Sequence, residues 1–312
     1  EILTFTGVRG GDREIAFEDL ASYCSVDEPT SVRVLPGTVT RIDVILHCVY
    51  SVEGRVLFSV LTSDGWRLHT VAPDGRDLVP FGDHDGLTED QQRPSISTDG
   101  SRIVFTYGGD PKAFYAIDPD GTNMRPIPGG SGLTPKVSPD GERIAFSADQ
   151  EIWVMDFDGS NRVQVTNGPG FSHSPAWSPD GNRLAFEVLG ATWNLYTINV
   201  DGTDLTPITA DHADDDLDPD YRPDGERLAF HSKRAGPKIV TTTPDGSDLV
   251  ELVEVGWDPV WSPDGGRIAY HVDSPYQVGL YLVDVATGEI EWLSATLPGV
   301  RAVHAAWGPP LP

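Results

Sequence analysis

Short runs of β-branched, aromatic and aliphatic residues follow turn sequences at regular intervals along the 312-residue chain. Pro fixes φ, Asp accepts hydrogen bonds from turn amides, and Gly tolerates a positive φ, so a Pro-Asp-Gly phrase before an apolar run predicts a tight turn leading into a strand. Clear copies such as Ser-Pro-Asp-Gly-Glu-Arg-Ile-Ala-Phe begin at Ser97, Ser138, Ser178, Arg222 and Ser262, and a degenerate copy begins at Ser51.

The turns recur with a period that identifies the architecture. The turn glycines Gly54, Gly100, Gly141, Gly181, Gly225 and Gly265 are 46, 41, 40, 44 and 40 residues apart. A second turn, such as Asp-Pro-Asp-Gly from Asp118, falls within each period, so each period holds four strands, A to D. Units of this length and content are typical of β-propeller blades. The Ser-Pro-Asp-Gly turns join strands A and B on one face, the turn face, and the B–C and D–A connections lie on the other, the loop face.

The two ends of the chain decide the number of blades. His304-Ala-Ala-Trp-Gly-Pro aligns with the A-strand sequence Ser174-Pro-Ala-Trp-Ser-Pro, and three strands are predicted in the head, at Leu3–Thr6, Arg13–Phe17 and Ser31–Leu35. Head and tail together, residues 1–42 plus 300–312, predict a seventh blade that closes the ring and removes its open edges. We therefore predict an all-β fold, a seven-bladed β-propeller of four-stranded blades in one domain over 1–312. The alternative is six blades with an N-terminal arm.

These repeats resemble the TolB-type family of propeller repeats, sometimes described as WD-like, over roughly residues 43–308. The resemblance implies a propeller fold and three classes of relative: the periplasmic TolB protein, which binds partners; propellers beside prolyl-oligopeptidase-type hydrolases; and oligogalacturonate lyases. The sequence has no Gly-x-Ser-x-Gly nucleophile elbow, which argues against serine-hydrolase chemistry, and no His-x-His pair of the kind the lyases suggest.

Charge narrows the range of partners. The chain carries 48 acidic and 22 basic residues, a formal net charge of −26, which disfavours nucleic acid and anionic membranes. No apolar run is long enough for a membrane span, so no membrane insertion is predicted. Because position 1 is Glu and not Met, a signal peptide removed upstream is one expectation, and with it an extracytoplasmic (periplasmic or secreted) location. A monomer is a separate expectation.

The only two cysteines, Cys24 and Cys48, do not have zinc-site spacing. Two interpretations stay open for them: a disulfide in an oxidising compartment, or two inert thiols.

Two repeat positions disagree between blades, and both fall at the strand end that faces the channel mouth on the loop face. In strand A, three residues before the aromatic position, the series is His47, Arg93, Thr134, Ser174, Asp218, Asp258 and His304. In strand B, after the Phe or Tyr, it is Ser59, Thr106, Ser147, Glu187, His231, His271 and Thr6. Converging His and carboxylate side chains suit a metal site, an acid–base pair or a cation-binding funnel. The ligand-binding candidates are Glu187, His231, His271, Asp218, Asp258, His304, His47 and Arg93, and blades 4 to 6 are predicted to line the deepest loop-face pocket.

The loop 211–220 between blades 4 and 5 concentrates carboxylates on the same face. Asp214, Asp215, Asp216 and Asp218 are candidate ligands for Ca²⁺ or another divalent cation, with solvated charge as the alternative. No cofactor is otherwise indicated. A further prediction concerns the Arg after each turn, such as Arg143 and Arg183, which is expected to pair with the turn aspartates.

Two functions are consistent with this pattern. The first is a secreted or periplasmic binding scaffold that recognises a protein, peptide or glycan on the loop face. The alternative is a metal- or His-dependent enzyme at the channel mouth, such as a polysaccharide lyase or hydrolase.

Overall fold

The computed structural model divides into two compact units, Glu1–Ser51 and Val52–Pro312. In the first unit it describes the backbone of five strands. In the second it describes residues 52–82, 89–109, 112–168, 170–209, 213–273, 278–293 and 301–310. A single domain over 1–312 stays a prediction.

The first unit contains two small antiparallel sheets. Their strands are β1 (Ile2–Phe5), β2 (Gly11–Glu14), β3 (Cys24–Val26), β4 (Ser31–Val34) and β5 (Ile42–Cys48). One sheet has the order β1-β5-β3 and the other pairs β2 with β4. The register places Cys24 directly opposite Cys48.

The second unit contains six antiparallel four-stranded sheets, which are the blades of a propeller. Blade 1 consists of β6 (Val56–Thr62), β7 (Gly65–Val71), β8 (Val79–Pro80) and the last strand of the chain, β29 (Ala302–Trp307). Blade 2 consists of β9 (Gln91–Ile96), β10 (Ile103–Tyr107), β11 (Ala113–Ile117) and β12 (Arg125–Ser131). Blade 3 consists of β13 (Leu133–Val137), β14 (Arg143–Ala148), β15 (Glu151–Asp156) and β16 (Val163–Gln164).

The remaining three blades follow the same order along the chain. Blade 4 consists of β17 (Phe171–Trp177), β18 (Arg183–Leu189), β19 (Trp193–Asn199) and β20 (Thr206–Pro207). Blade 5 consists of β21 (Asp216–Tyr221), β22 (Leu228–Ser232), β23 (Lys238–Thr242) and β24 (Val250–Val253). Blade 6 consists of β25 (Trp257–Trp261), β26 (Arg267–Asp273), β27 (Val278–Asp284) and β28 (Ile290–Trp292). Among the described residues, no helix is long and apolar enough to cross a membrane.

The prediction of seven blades is wrong, and the alternative of six is correct. The tail forms an A strand, as its sequence suggests, but β29 pairs with β6 of blade 1 rather than with strands from residues 1–42. The A strand expected before Ser51, which would include His47, is instead part of β5 in the first unit. Pairing the last strand with the first blade closes the ring at six blades, so a seventh is not needed to remove the open edges.

Apolar side chains between neighbouring blades form the core. The Phe or Tyr of each B strand is almost completely inaccessible to solvent; these residues are Phe58, Phe105, Phe146, Phe186, Phe230 and Tyr270. Each core cluster combines residues of adjacent blades, including a cluster that joins Phe58 of blade 1 to Leu282 of blade 6. Burial of the periodic apolar residues therefore holds the ring together.

In the described part of the chain, the ion pairs of the recurring arginines are made with aspartates of the C–D turns and not with those of the Ser-Pro-Asp-Gly turns, as for Arg227 and Asp248. Asp140 instead accepts a hydrogen bond from Ser138 Oγ within its own turn, at 2.5 Å. The Arg143 guanidinium lies over the Trp177 ring, 4.8 Å from its centroid. Arg183 reaches Asp204 in the C–D turn of its own blade. The short turn leaves each Asp satisfied locally, so the long Arg side chains find other partners.

Candidate functional site

Each A strand contains an irregularity at the position where the sequence series varies. The A–B pairing shifts register in all six blades at this point. The residue at the shift has a positive φ, between 48° and 54°, in Arg93, Thr134, Ser174, Asp218, Asp258 and His304. We call these six residues the bulge ring. A β-bulge redirects side chains, and a left-handed backbone is costly for non-Gly residues, so a repeated bulge indicates a structural device that aims this position.

The bulge ring lines a narrow cavity of about 50 Å³. Blade 1 contributes His304, and blades 2 to 6 contribute the other five members, followed in each case by Pro. The mouth cavity, as we name it, therefore involves all six blades rather than blades 4 to 6 alone. It has space for water or a single small group.

Two carboxyl groups meet in this ring. A hydrogen bond joins the side chains of Asp218 and Asp258. Burial, followed by the neighbouring charge of Asp218, raises the pKa of Asp258 well above its usual range. Burial also opposes ionisation of Asp218, but the hydrogen bond from Asp258 and the charge of Arg93 hold its pKa below the ordinary value. The opposite directions of the two pKa shifts indicate that these groups, which we call the acid pair, share a proton that lies mainly on Asp258, with Asp218 the more easily ionised member.

A hydrogen-bond network supports the ionised member of the acid pair. Ser174 Oγ donates to Asp218 Oδ1 at 2.9 Å. The Asp218 amide donates to Glu187 Oε2 at 2.8 Å, and His173 Nδ1 lies 3.0 Å from Glu187 Oε1. Burial, and then the charge of Asp218, raises the pKa of Glu187. The sequence did not identify His173; its position directly before the bulge residue Ser174 is the signal that could have done so.

Three histidines surround the other side of the acid pair. Burial lowers the pKa of His231 and of His271 to about 4, and lowers that of His304 well below its usual value, so all three are neutral at pH 7. Asp258 Oδ2 lies 3.4 Å from His271 Nδ1 and 3.5 Å from His304 Nε2. The Trp257 ring lies between His231 and His271, 5.8 Å from each ring centroid.

Each of these histidines has a buried ring nitrogen without a hydrogen-bond partner among the described residues. The atoms are His231 Nε2, His271 Nδ1 and His304 Nδ1. The 3.4 Å approach of His271 to Asp258 is therefore a close contact without hydrogen-bond alignment. The mouth combines neutral imidazoles, one carboxylic acid and one carboxylate, a set that can exchange protons or bind a small polar group.

The remaining candidates are placed differently. The Arg93 side chain lines the mouth cavity and acts on Asp218 through its charge. His47 lies in β5 of the first unit, and its side chain is outside the described residues.

The four aspartates proposed as metal ligands are not brought together. Asp214 is exposed, and Asp215 accepts hydrogen bonds from Lys233 Nζ at 2.8 Å and from the Trp193 amide at 3.0 Å. Asp216 is completely buried and pairs with Arg234 at 2.7 Å. Asp218 belongs to the acid pair. Asp214 and Asp215 precede β21, and the register shift between Leu217 and Asp220 redirects Asp218 to the mouth cavity, which separates these carboxylates. Among the described residues, no group of three or more His, Cys, Asp or Glu could hold a metal ion.

The repeat geometry agrees with comparison against known proteins. A family model described as the TolB beta propeller domain matches residues 110–298. The chain belongs to the TolB β-propeller family. The predicted TolB-type resemblance is thereby confirmed.

Similar proteins extend this assignment. The Tol-Pal system protein TolB of Anaeromyxobacter dehalogenans (strain 2CP-C) is 29% identical over 123 residues, which is 38% of this chain and 22% of that relative's length. TolB from Acinetobacter baumannii has a similar structure, with a TM-score of 0.70 at 18% identity over 82% of this chain and 67% of its own. An oligogalacturonate lyase from Vibrio parahaemolyticus also has a similar structure. Its TM-score is 0.54 at 14% identity, over 91% of this chain and 86% of its own. At these identities the solved structures establish the fold of this TolB-family propeller and no more.

Proposed function

We propose that this TolB-family propeller is an extracytoplasmic binding scaffold that recognises a partner protein or peptide on its loop face. The observation that carries the proposal is a set of exposed apolar side chains where strands A and B end on that face. Phe171 and Leu189 are the most informative, because they face each other across the strand pair and are 45% and 38% exposed. The others are Leu61, Leu133 and Val255.

Exposed apolar groups at strand ends on one face are typical of surfaces that bind proteins. The mouth also brings histidine and tryptophan rings to this face. The ring centroids of His173 and Trp193 are 6.4 Å apart, and the Trp257 ring stacks on that of His271. The mouth cavity, at about 50 Å³, suits one inserted group at most, so a larger partner would contact the rim. A net charge of −26 favours a partner segment with basic residues.

The resemblance to the periplasmic TolB protein, and to a relative named for the Tol-Pal system, supports both the binding role and the extracytoplasmic location. A monomer remains our expectation, and sedimentation of the purified protein tests it. A glycan partner is the alternative ligand class on the same face.

A peptide library tests the proposal. A phage-displayed random library is selected on the wild-type protein, and the enriched peptides are measured against two variants. Phe171→Ser/Leu189→Ser alters the loop face, and Val163→Ser, at an exposed apolar position on β16, is the matched control. We expect at least tenfold weaker binding to the double variant and no change for the control. Equal binding to all three proteins would place recognition elsewhere.

The acid pair favours a second candidate, an enzyme that uses Asp258 as an acid and Asp218 or a neutral histidine as a base at the mouth. The resemblance to oligogalacturonate lyases makes polygalacturonate the natural probe, with and without added divalent cations. Formation of unsaturated oligosaccharides that Asp258→Asn abolishes would support this candidate. Absence of product in both conditions would leave the binding function.

A further inference from the structure

A second cavity, of about 300 Å³, lies among the Ser-Pro-Asp-Gly turns at the opposite end of the channel. It shares Lys136, Val260 and Ala305 with the mouth cavity. We call it the turn-face cavity. Its volume is at the lower end of the range for pockets that bind small molecules.

One side of the turn-face cavity is aromatic. The aromatic residues that end the A strands of blades 4, 5, 6 and 1 line it: Trp177, Tyr221, Trp261 and Trp307. Blades 2 and 3 contribute the smaller Ile96 and Val137. The wall is fixed in place, because the guanidinium groups of Arg143, Arg222 and Arg267 lie over the three Trp rings at 4.8, 5.5 and 5.7 Å.

Two charged side chains occupy a repeat position that is otherwise uncharged. The residue before the aromatic position is Ser95, Lys136, Ala176, Asp220, Val260 and Ala306 in blades 2 to 6 and 1. All six line the turn-face cavity, and two of them, Lys136 and Val260, also line the mouth cavity. Lys136 and Asp220 therefore bring opposite charges to one cavity from two different blades.

The fold does not require the carboxylate of Asp220. Asp220 Oδ2 accepts a hydrogen bond from the Trp261 amide at 2.8 Å. In blade 2 the neutral hydroxyl of Ser95 does the same for the Val137 amide, at 3.0 Å. Burial raises the pKa of Asp220 to about 6, so its ionised form is held at a cost in stability that Ser would avoid. A group that costs stability and has a cheaper structural substitute is a candidate for function.

Lys136 and Asp220 line the same cavity, and the Lys136 charge also acts on Asp258 and His304 at the mouth. Lys136 acts on Asp220 through its charge, yet within the described part of the chain no salt bridge joins the Lys136 ammonium group to any carboxylate. Trp261 adds an unused donor: its buried Nε1 has no described partner, whereas Trp177 Nε1 donates to the Lys136 carbonyl at 2.9 Å. The cavity thus offers an anionic group, a cationic group and an aromatic wall.

We propose that the turn-face cavity binds a free amino acid with an apolar side chain. Its ammonium group would pair with Asp220, its carboxylate with Lys136, and its side chain would pack against the aromatic wall. A zwitterion satisfies both protein charges and adds no net charge to the cavity. This proposal does not rest on the binding function of the loop face, although Lys136 lines both cavities.

Titration calorimetry with L-phenylalanine and L-leucine tests the proposal on the full chain. Phenethylamine, which lacks the carboxylate, and phenylacetate, which lacks the ammonium group, are the matched ligands. We expect each to bind at least tenfold more weakly than L-phenylalanine. Because Asp220 protonates near pH 6, affinity for L-phenylalanine should fall about tenfold for each pH unit below that value.

Variants localise the binding. Asp220→Asn and Lys136→Met should each weaken the binding of L-phenylalanine at least tenfold. Asp201 is an exposed carboxylate in the C–D turn of blade 4, so Asp201→Asn should not change the binding. Circular dichroism and thermal melting confirm that each variant is folded. The proposal is overturned by absence of binding at millimolar amino acid, by equal binding of phenethylamine, or by full affinity in the Asp220→Asn variant.

Discussion

Trp307, the last residue of β29, lies directly opposite Val56, the first residue of β6. Trp177 and Leu184 have the same relationship within blade 4, so the two ends of the propeller unit reproduce an ordinary A–B pair. The turn that joins A to B elsewhere is here replaced by hydrogen bonds between separate segments. Gly308 N donates to the Arg55 carbonyl at 2.8 Å, and Gly54 N donates to the Pro309 carbonyl at 2.5 Å.

This junction predicts that Gly308→Ala weakens ring closure. A Cβ at position 308 would lie 1.6 Å from the Val52 carbonyl oxygen, so backbone atoms must move. We expect a loss of about 3 kcal/mol in the free energy of unfolding. Gly109→Ala is the matched control, because no heavy atom lies within 4 Å of its Cβ. Urea unfolding measures both, and equal midpoints would show that the junction does not carry the closure.

The four-stranded blade was predictable from the sequence, but the number of blades in the ring was not. Turn chemistry and strand pattern are local, so each Pro-Asp-Gly phrase specifies its own A–B hairpin. The number of blades depends on which distant strand β29 meets, and His304-Ala-Ala-Trp fits any position beside a B strand. Joining the tail to Ser51-Val-Glu-Gly gives one more copy of the repeat, which is the signal for six blades.

The candidate site was predictable in position but not in detail. Comparing the repeats identified the positions of the bulge ring, because their residue types vary between blades that otherwise share the same sequence pattern. The acid pair was not foreseeable, since it depends on a positive φ at residues before Pro, where the left-handed conformation is rare. Asp220 was overlooked because it lies in an ordinary strand sequence; its signal was the contrast with Ser95 and Ala176 at the same repeat position.

Asp220→Asn should stabilise the protein at alkaline pH and leave it unchanged in acid. The folded pKa of this carboxyl is about 6 against an ordinary 3.8. Below pH 3.8 the carboxyl is protonated in both the folded and the unfolded state, so it does not affect the free energy of unfolding. Between pH 3.8 and pH 6 the unfolded state ionises first, which destabilises the fold. Above pH 6 this destabilisation is complete and amounts to about 2 to 3 kcal/mol. Thermal or urea unfolding at pH 8 and pH 4 measures the difference, and a variant less stable at pH 8 would contradict the assignment.

His231 should make the opposite contribution. Its folded pKa is about 4 and its ordinary value 6.5, so the unfolded state takes up a proton first as the pH falls. His231 therefore does not destabilise the fold above pH 6.5. As the pH falls from 6.5 to 4, it lowers the free energy of unfolding by roughly 3 kcal/mol. His231→Asn should remove that part of the pH dependence. Unfolding curves between pH 7 and pH 5 test this, and an unchanged slope would mean that the pKa of His231 is the same in the folded and unfolded protein.

The acid pair predicts unequal effects for two matched substitutions. Asp258 carries the shared proton, so Asp258→Asn keeps a neutral side chain that can donate to Asp218, and at pH 7 we expect a change below about 1 kcal/mol. Asp218 carries the charge and accepts hydrogen bonds from both Ser174 and Asp258. Asp218→Asn removes the charge and places an amide donor against other donors, which should cost about 1 to 3 kcal/mol. Urea unfolding of both variants at pH 7 compares them directly. Equal losses would show that the proton is not localised on Asp258, and a larger loss for Asp258→Asn would reverse the assignment of the two roles.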